Sequence, residues 1–202
     1  MNTGVLLSRR DRNKAAKREA IARAAARLFA ERGYAATTTL QVAAEADVAE
    51  GTLFRYAGTK PELLLMVINE HLRPLVDLSV DAQANDPVDE ILLLLGPLIS
   101  LAESQPDNAA PFLREVLFGE DGPERDESLA IVDRMIARIG TILAPHLDGD
   151  VDMTLDEVAR WVFSALVSEL LRDVVGRTDG GGDRQLVLRT RVRVLLRGLG
   201  AA

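Results

Sequence analysis

The fold is decided by residues 37–60, which read TTTLQVAAEADVAEGTLFRYAGTK. Apolar residues recur here at helical spacing in two short runs, which predict helices over 38–46 and 50–57 with a three-residue turn between them. Thr38 and Gln41 have the spacing of a capping box, in which a hydroxyl and a third-turn side chain satisfy free backbone N–H groups. Asp47 takes the turn position that needs a left-handed backbone, which aspartate tolerates better than most residues.

Two such short helices cannot bury a core alone, so a third helix must pack against them. Residues 14–32 predict that helix, with Ile21, Ala25 and Leu28 on one apolar stripe and arginines on the other side. Gly33 follows in the position that commonly ends a helix. Three helices in this order form a helix-turn-helix.

The helix predicted over 50–57 is unusual for a purely structural element. Gly51 leaves its backbone bare, and Phe54, Arg55 and Tyr56 follow in succession. A helix that enters the major groove of DNA suits this pattern, because small residues allow close approach and an arginine can bind guanine through two hydrogen bonds. The alternative is that Phe54 and Tyr56 pack on neighbouring helices.

Over the rest of the chain, apolar residues recur at helical spacing, which predicts an all-α chain of about nine helices. The ranges are 14–32, 38–46, 50–57, 60–80, 87–104, 108–118, 123–146, 154–177 and 183–199. The domains we predict are a flexible basic arm over 1–13, a helix-turn-helix domain over 14–59 and a helical domain over 60–202. Prolines 74 and 97 fall inside two helices, which we expect them to kink or interrupt.

Composition excludes several classes of protein. The 202 residues include no cysteine and two histidines, so disulfides and thiolate metal sites are excluded, and we predict no metal and no cofactor. No apolar run reaches the length of a membrane span, which predicts a cytoplasmic protein without a membrane partner.

The net charge of −7 hides an asymmetry. Residues 1–61 hold 11 Lys/Arg and 6 Asp/Glu, whereas residues 62–202 hold 13 and 25. A basic N-terminal part joined to an acidic remainder is consistent with a phosphate-binding domain attached to an acidic domain. The arm residues Arg9, Arg10, Arg12, Lys14 and Lys17 either add DNA contacts or form an uninvolved tail.

Residues 14–64 resemble the DNA-binding domain of TetR-family transcriptional regulators. The residues that carry the resemblance are Ile21, Ala25, Leu28-Phe29, Gly33-Tyr34, Thr37-Thr38, Val42-Ala43, Ala46-Asp47-Val48, Gly51-Thr52-Leu53-Phe54-Arg55-Tyr56, Lys60 and Leu63. The resemblance implies a homodimer with a helical ligand-binding body, and usually a repressor. It implies phosphate contacts for Thr38, Thr52, Tyr56 and Lys60, and base-facing positions for Glu50, Gly51, Phe54 and Arg55.

Two residues depart from the family pattern. Ala49 stands where the family usually has a serine cap, a loss of about 1 kcal/mol. Ala57 replaces a phenylalanine that fixes the second short helix to the next one. Removal of a buried ring costs roughly 3–5 kcal/mol unless neighbours close in, so the sequence leaves open whether this helix is loosely docked.

Residues 154–177 are apolar nearly all round, so both faces of this helix need a partner. Paired with residues 183–199 and with a second copy, they predict a four-helix dimer interface, as the resemblance also implies. The predicted interface residues are Val158, Val162, Ala165, Leu166, Leu188, Val192, Leu195 and Leu199. The alternative is an internal core helix of a monomer.

The resemblance also implies an effector cavity among helices 60–146. The candidate lining residues are Met66, His71, Leu94, Leu98, Leu101, Phe112, Arg114, Leu117, Met135 and Ile139. The aliphatic lining and low aromatic content favour a lipophilic effector, and plain core packing is the alternative for the apolar members.

The sequence therefore predicts a regulator, usually a repressor, that an effector releases from a pseudo-palindromic operator. The alternatives are a DNA-binding dimer without an effector, an activator, and a small helical enzyme. We predict no enzyme, because the sequence offers no convincing nucleophile–base pair, carboxylate pair or metal cluster.

Overall fold

The structure is a computed structural model that describes residues 8–77, 86–147, 153–174 and 184–198. Within these ranges it has nine α-helices, which confirms the all-α prediction. They are α1 (Arg9–Ala36), α2 (Thr39–Glu45), α3 (Glu50–Leu53), α4 (Lys60–Asp77), α5 (Pro87–Ser104), α6 (Pro106–Phe118), α7 (Pro123–Leu143), α8 (Leu155–Val174) and α9 (Arg184–Gly198). We call α1–α3 the head and α4–α9 the body.

Helix α1 begins five residues earlier than the sequence predicted. Ser8 caps it by accepting a hydrogen bond from the Asp11 backbone N–H at 3.2 Å. Residues 9–13 are therefore helical, and the prediction of a flexible arm there is wrong; residues 1–7 lie outside the described residues. Gly33 interrupts the far end of α1 with φ +76°, a backbone angle that favours glycine.

Helix α4 joins the head to the body. It packs against α1 on one side and against α5, α6 and α7 on the others. Leu63, Met66 and Leu72 of α4 are completely or almost completely buried, so this helix belongs to the core of both parts. Pro74 and Pro97 lie inside α4 and α5, and neither helix is interrupted.

The remaining helices close the body. Helix α7 packs on α8, and α5 packs on α9. A 3-10 turn, Ala144–His146, follows α7 where the sequence predicted continuous helix. Helix α6 begins at Pro106, two residues earlier than predicted, because proline fits the first helical position. The predicted ends at 78–80, 175–177, 183 and 199 lie outside the described residues.

Candidate functional site

Helix α2 and its turn form as the sequence predicted. The Thr38 hydroxyl accepts from the Gln41 N–H at 3.2 Å, and the Gln41 side chain accepts from the Thr38 N–H at 2.9 Å, which completes the capping box. Asp47 has φ +52°, the left-handed conformation that the turn requires. Ala49 precedes α3 and gives it no side-chain cap.

Helix α3 is shorter than predicted. Its α-helical part ends at Leu53, and the chain continues to Ala57 through tight turns, such as the Tyr56 N–H to Leu53 carbonyl bond of 2.8 Å. Leu53 and Ala57 are both buried. Because Ala57 is 2% exposed, the neighbouring side chains have closed around it and α3 is docked onto the core.

The buried residues of α3 leave the base-facing positions on the outside. Gly51 and Arg55 are exposed, and Phe54 is 41% exposed. Glu50 is half-buried, because its carboxylate accepts a hydrogen bond of 3.0 Å from the Thr39 hydroxyl of α2. Three of the four predicted base-facing residues therefore form a projecting surface, and the fourth ties α2 to α3.

The predicted phosphate contacts fall into two groups. Thr38 is exposed, and Thr52 and Tyr56 are half-buried beside the α3 surface. Lys60 instead lies against the end of α1, where its ammonium donates to the Ala35 carbonyl at 3.3 Å and sits 4.4 Å from the centre of the Tyr34 ring. Burial there lowers the Lys60 pKa.

A basic cleft extends the α3 surface along α1. The cleft has a volume of about 520 Å³; the residues that line it are Arg10, Asp11, Asn13, Lys14 and Lys17 of α1, and Arg55 and Tyr56 of the turns that follow α3. The sequence left open whether the basic arm took part in binding. The helical start of α1 places three of its cations beside Arg55, so the basic surface is continuous.

Polar contacts between α1, α4 and α7 fix the head to the body. The Arg18 guanidinium forms ion pairs with Glu124 of α7 at 2.8 Å and with Glu70 of α4 at 3.1 Å. Asn69 of α4 donates to the Glu124 carbonyl at 2.8 Å and accepts from Ser128 at 2.7 Å. Sequence analysis missed these residues, because nothing in their spacing signals pairs that lie 50 or more residues apart.

The pKa values of two carboxylates near this joint are shifted in opposite directions. Burial raises the pKa of Glu70, although Arg18 and Arg73 act against it. The hydrogen bond from Arg73, 2.9 Å long, lowers the pKa of Glu127 on α7. Arg134 lowers this pKa further, and burial acts in the opposite direction. The joint thus holds one carboxylate that is destabilised as an anion and one that is stabilised.

The predicted effector-pocket residues do not surround one cavity. Only His71 and Leu101 line a cavity of about 280 Å³, which lies between α1, α4, α5 and α6. Residues that fill the core instead are Met66, Leu94, Phe112, Met135 and Ile139, and Leu98 is half-buried against them. Arg114 and Leu117 are exposed, and Arg114 pairs with Glu115 on the surface. Most of the predicted lining residues therefore fill the core or lie on the surface in the described part of the chain, and the effector pocket stays a prediction.

Five of the eight residues predicted at the dimer interface are buried inside the single chain, so these five do not lie on its outer surface. Residues that are buried inside a single chain are Val158, Val162, Leu166, Leu188 and Val192. Leu195 is half-buried, Ala165 is exposed, and Leu199 lies outside the described residues. The exposed large apolar side chains of the described part of α8 and α9 are Val194 (65%), Leu186 (60%), Trp161 (57%), Val187 (40%) and Leu155 (39%).

Neither a metal-binding cluster nor a membrane-spanning helix is found among the described residues. Across residues 8–77, 86–147, 153–174 and 184–198, no group of three His, Asp or Glu side chains is arranged to hold a metal ion. Nor does a helix within those ranges have the length and apolar character to cross a bilayer.

Comparison with known proteins points to one family. Residues 21–67 match the profile of bacterial regulatory proteins of the tetR family. The HTH-type transcriptional regulator HbdR of Aromatoleum sp. (strain CIB) is 41% identical over 56 residues, which cover 28% of this chain and 24% of HbdR. The HTH-type transcriptional repressor KstR of Rhodococcus jostii (strain RHA1) is 27% identical over 134 residues, 65% of this chain and 63% of KstR. The chain thus spans less than two thirds of either relative.

The fold comparison extends over nearly the whole chain. The crystal structure of Thermus thermophilus FadR, a TetR-family transcriptional repressor in complex with lauroyl-CoA, matches with a TM-score of 0.65 and 28% identity. That match covers 90% of this chain and 94% of FadR. A TetR regulator from Rhodococcus sp. RHA1 matches with a TM-score of 0.68 at 19% identity, which shows the shared fold.

Proposed function

Because the chain belongs to the TetR family of bacterial regulatory proteins, we propose that it is a sequence-specific DNA-binding regulator that acts as a homodimer. The observation that carries the proposal is the continuous surface of α3 and the basic cleft. Gly51, Phe54 and Arg55 project from the tip of the head, and Lys14 and Lys17 flank them. A projecting helix beside clustered cations is how proteins of this kind combine base contacts with phosphate contacts.

In this proposal the residues have distinct roles. Arg55 reads a base through its guanidinium, and the Thr52 hydroxyl, which accepts from Arg55 Nη2 at 3.2 Å, orients it. Thr38, Thr52, Tyr56, Lys14 and Lys17 bind phosphates. Lys60 binds a phosphate only if its ammonium leaves the Tyr34 ring, so we assign it a smaller share.

Paired substitutions test these roles on a duplex selected by the full chain from a random pool. Arg55→Ala should cost about 1–3 kcal/mol on the selected duplex and relax preference at one base pair. Lys17→Ala should weaken selected and random duplexes alike and make the salt dependence shallower by about one unit of slope. Arg138→Ala on α7, with the same loss of charge, should change neither. Equal losses on both duplexes for Arg55→Ala would show that Arg55 reads no base.

The dimer we propose forms through the outer faces of α8 and α9. These two helices pack on each other and leave Trp161, Leu186 and Val194 largely exposed. We infer that these side chains belong to one apolar patch, and a large exposed apolar patch marks an interface. A two-fold dimer suits two half-sites about 34 Å apart. Trp161→Glu should give monomers in sedimentation experiments, whereas Leu129→Glu on α7 should not; dimers from both variants would place the interface elsewhere.

We further propose that the chain is a repressor that a lipophilic effector releases from DNA. KstR and FadR are named repressors, and the FadR structure holds lauroyl-CoA. A typical coupling of about 1–3 kcal/mol would weaken DNA binding roughly 5- to 150-fold. Duplex affinity measured with a panel of lipophilic molecules that includes lauroyl-CoA tests this. An unchanged affinity throughout would favour the alternative, a DNA-binding dimer without an effector.

A further inference from the structure

The outer side of α3 carries a carboxylate as well as a cation. Glu50 is the first residue of α3, and its carbonyl accepts from the Phe54 N–H at 3.1 Å, so Phe54 lies one helical turn further along the same face. Phe54 is 41% exposed on that face, whereas Leu53 is completely buried on the opposite one. Glu50 therefore lies on the outer side of α3, at its N-terminal end. Recognition helices contact base edges with their N-terminal residues.

A hydrogen bond from α2 holds this carboxylate by one of its two oxygens. The Thr39 hydroxyl donates to Glu50 Oε1 at 3.0 Å. Within the described part of the chain, the other oxygen, Oε2, accepts no hydrogen bond. Because the bond from Thr39 restricts the rotation of the Glu50 side chain, less entropy is lost when Oε2 meets a further donor. The two helices thus hold an acceptor oxygen in place for a partner outside the chain.

The chemistry of a carboxylate selects among the four bases of DNA. An ionised carboxylate accepts hydrogen bonds and donates none. In the major groove, guanine presents the acceptors N7 and O6 and thymine presents the acceptor O4, so both bases repel it. Adenine presents its N6 amino donor beside the acceptor N7, whereas cytosine presents its N4 amino donor alone. Cytosine is therefore the base that suits this carboxylate best.

We propose that Glu50 Oε2 accepts a hydrogen bond from cytosine N4 in each half-site, and that Thr39 is a positioning residue that holds the carboxylate for this contact. The inference rests on the proposed function, since it needs α3 to lie in the major groove, and it adds the identity of a base that is read there. Glu50 thus has two bonds to make, one to α2 and one to DNA. The second bond specifies one C·G pair in each half-site.

The base contact is tested with Glu50→Gln on the duplex selected by the full chain and on its single-base-pair variants. Glutamine can still accept from Thr39, so a purely structural role of Glu50 survives this substitution. At one position, the original chain should prefer cytosine to each other base roughly tenfold, and Glu50→Gln should reduce that ratio to about twofold or less. An unchanged base preference at every position, or a loss of preference only where the original chain selects another base, would overturn the proposal.

The positioning role is tested with two substitutions of Thr39. Thr39→Val lacks the hydroxyl and should lower the same cytosine preference roughly threefold, whereas Thr39→Ser keeps the hydroxyl and should retain the preference. In the Glu50→Gln background, Thr39→Val should lower the preference no further, because the two residues act through one contact. Thr141→Val on α7, where the hydroxyl bonds within its own helix, should bind every duplex like the original chain. Equal losses on all duplexes for Thr39→Val would overturn the positioning role.

The measurements with Arg55→Ala separate this inference from the proposed function. If the chain binds its selected duplex and Arg55→Ala relaxes one base pair while Glu50→Gln relaxes none, the cytosine contact alone is overturned. If the chain binds no duplex at low salt, the proposed function is overturned and the cytosine contact with it.

Discussion

A substitution at Gly51 of α3 should change the stability of the fold and the affinity for DNA in opposite directions. The residue is exposed, and a Cβ built on it would meet no atom within 4 Å. Its backbone is helical, so alanine fits without strain. Gly51→Ala should therefore raise the free energy of unfolding by about 0.5–1 kcal/mol, because alanine loses less backbone entropy on folding.

The same substitution should damage DNA binding. Gly51 lies on the projecting surface that we assign to base contacts, where the missing side chain allows the backbone to approach the duplex. A methyl group in that gap should weaken binding to the selected duplex roughly tenfold, or about 1.4 kcal/mol. Urea unfolding and fluorescence anisotropy on one preparation measure both effects.

A second glycine supplies the control. Gly96 lies inside α5, and a Cβ there also meets nothing within 4 Å. Gly96→Ala should give a similar gain in stability with unchanged DNA affinity. Our reasoning would be refuted if Gly51→Ala bound the duplex as tightly as the original chain, or if it lost stability.

Other predictions concern the cap of α2 and the joint between head and body. Thr38→Ala should lower the free energy of unfolding by about 1 kcal/mol, whereas Thr38→Ser should keep most of it, as urea titration will show. Burial raises the Glu70 pKa, so this group favours folding when protonated and loses that contribution as the pH rises through the raised value. Glu70→Gln should accordingly be more stable than the original chain at pH 7 and equal to it in acid; lower stability at pH 7 would contradict this. The hydrogen bond from Arg73 lowers the Glu127 pKa, so Glu127→Gln should be less stable at pH 7, with the gap closing as the pH falls through the depressed value. Parallel pH profiles for the two glutamine variants would contradict the assignment.

The head could be predicted from sequence because its signals are local. The Thr38 capping box, the left-handed Asp47 and the apolar stripe of α1 each depend on residues within a few positions of one another. Local patterns were less reliable at the ends of helices. Helix α1 begins earlier than predicted because Ser8 caps it, and helix α3 ends at Leu53 although the apolar pattern continues to Ala57.

The body was harder to predict, because α8 is apolar on two faces. Periodicity shows that both faces need partners, but it does not show which face meets the chain's own core. The structure turns Val158, Val162 and Leu166 inward and leaves Trp161 exposed. For this reason, five of the predicted interface residues are buried inside the single chain.

The joint between head and body depends on contacts that no local pattern contains. Arg18 reaches Glu124 across 106 positions, and Asn108 reaches the Phe29 carbonyl across 79. Arg18 and the Phe29 carbonyl both belong to α1, so polar groups with defined partners hold the head on the body together with the packing of α1 on α4. A hydrogen bond whose partner is lost leaves a buried polar group unsatisfied, so small movements of α1 relative to α4 and α6 are costly.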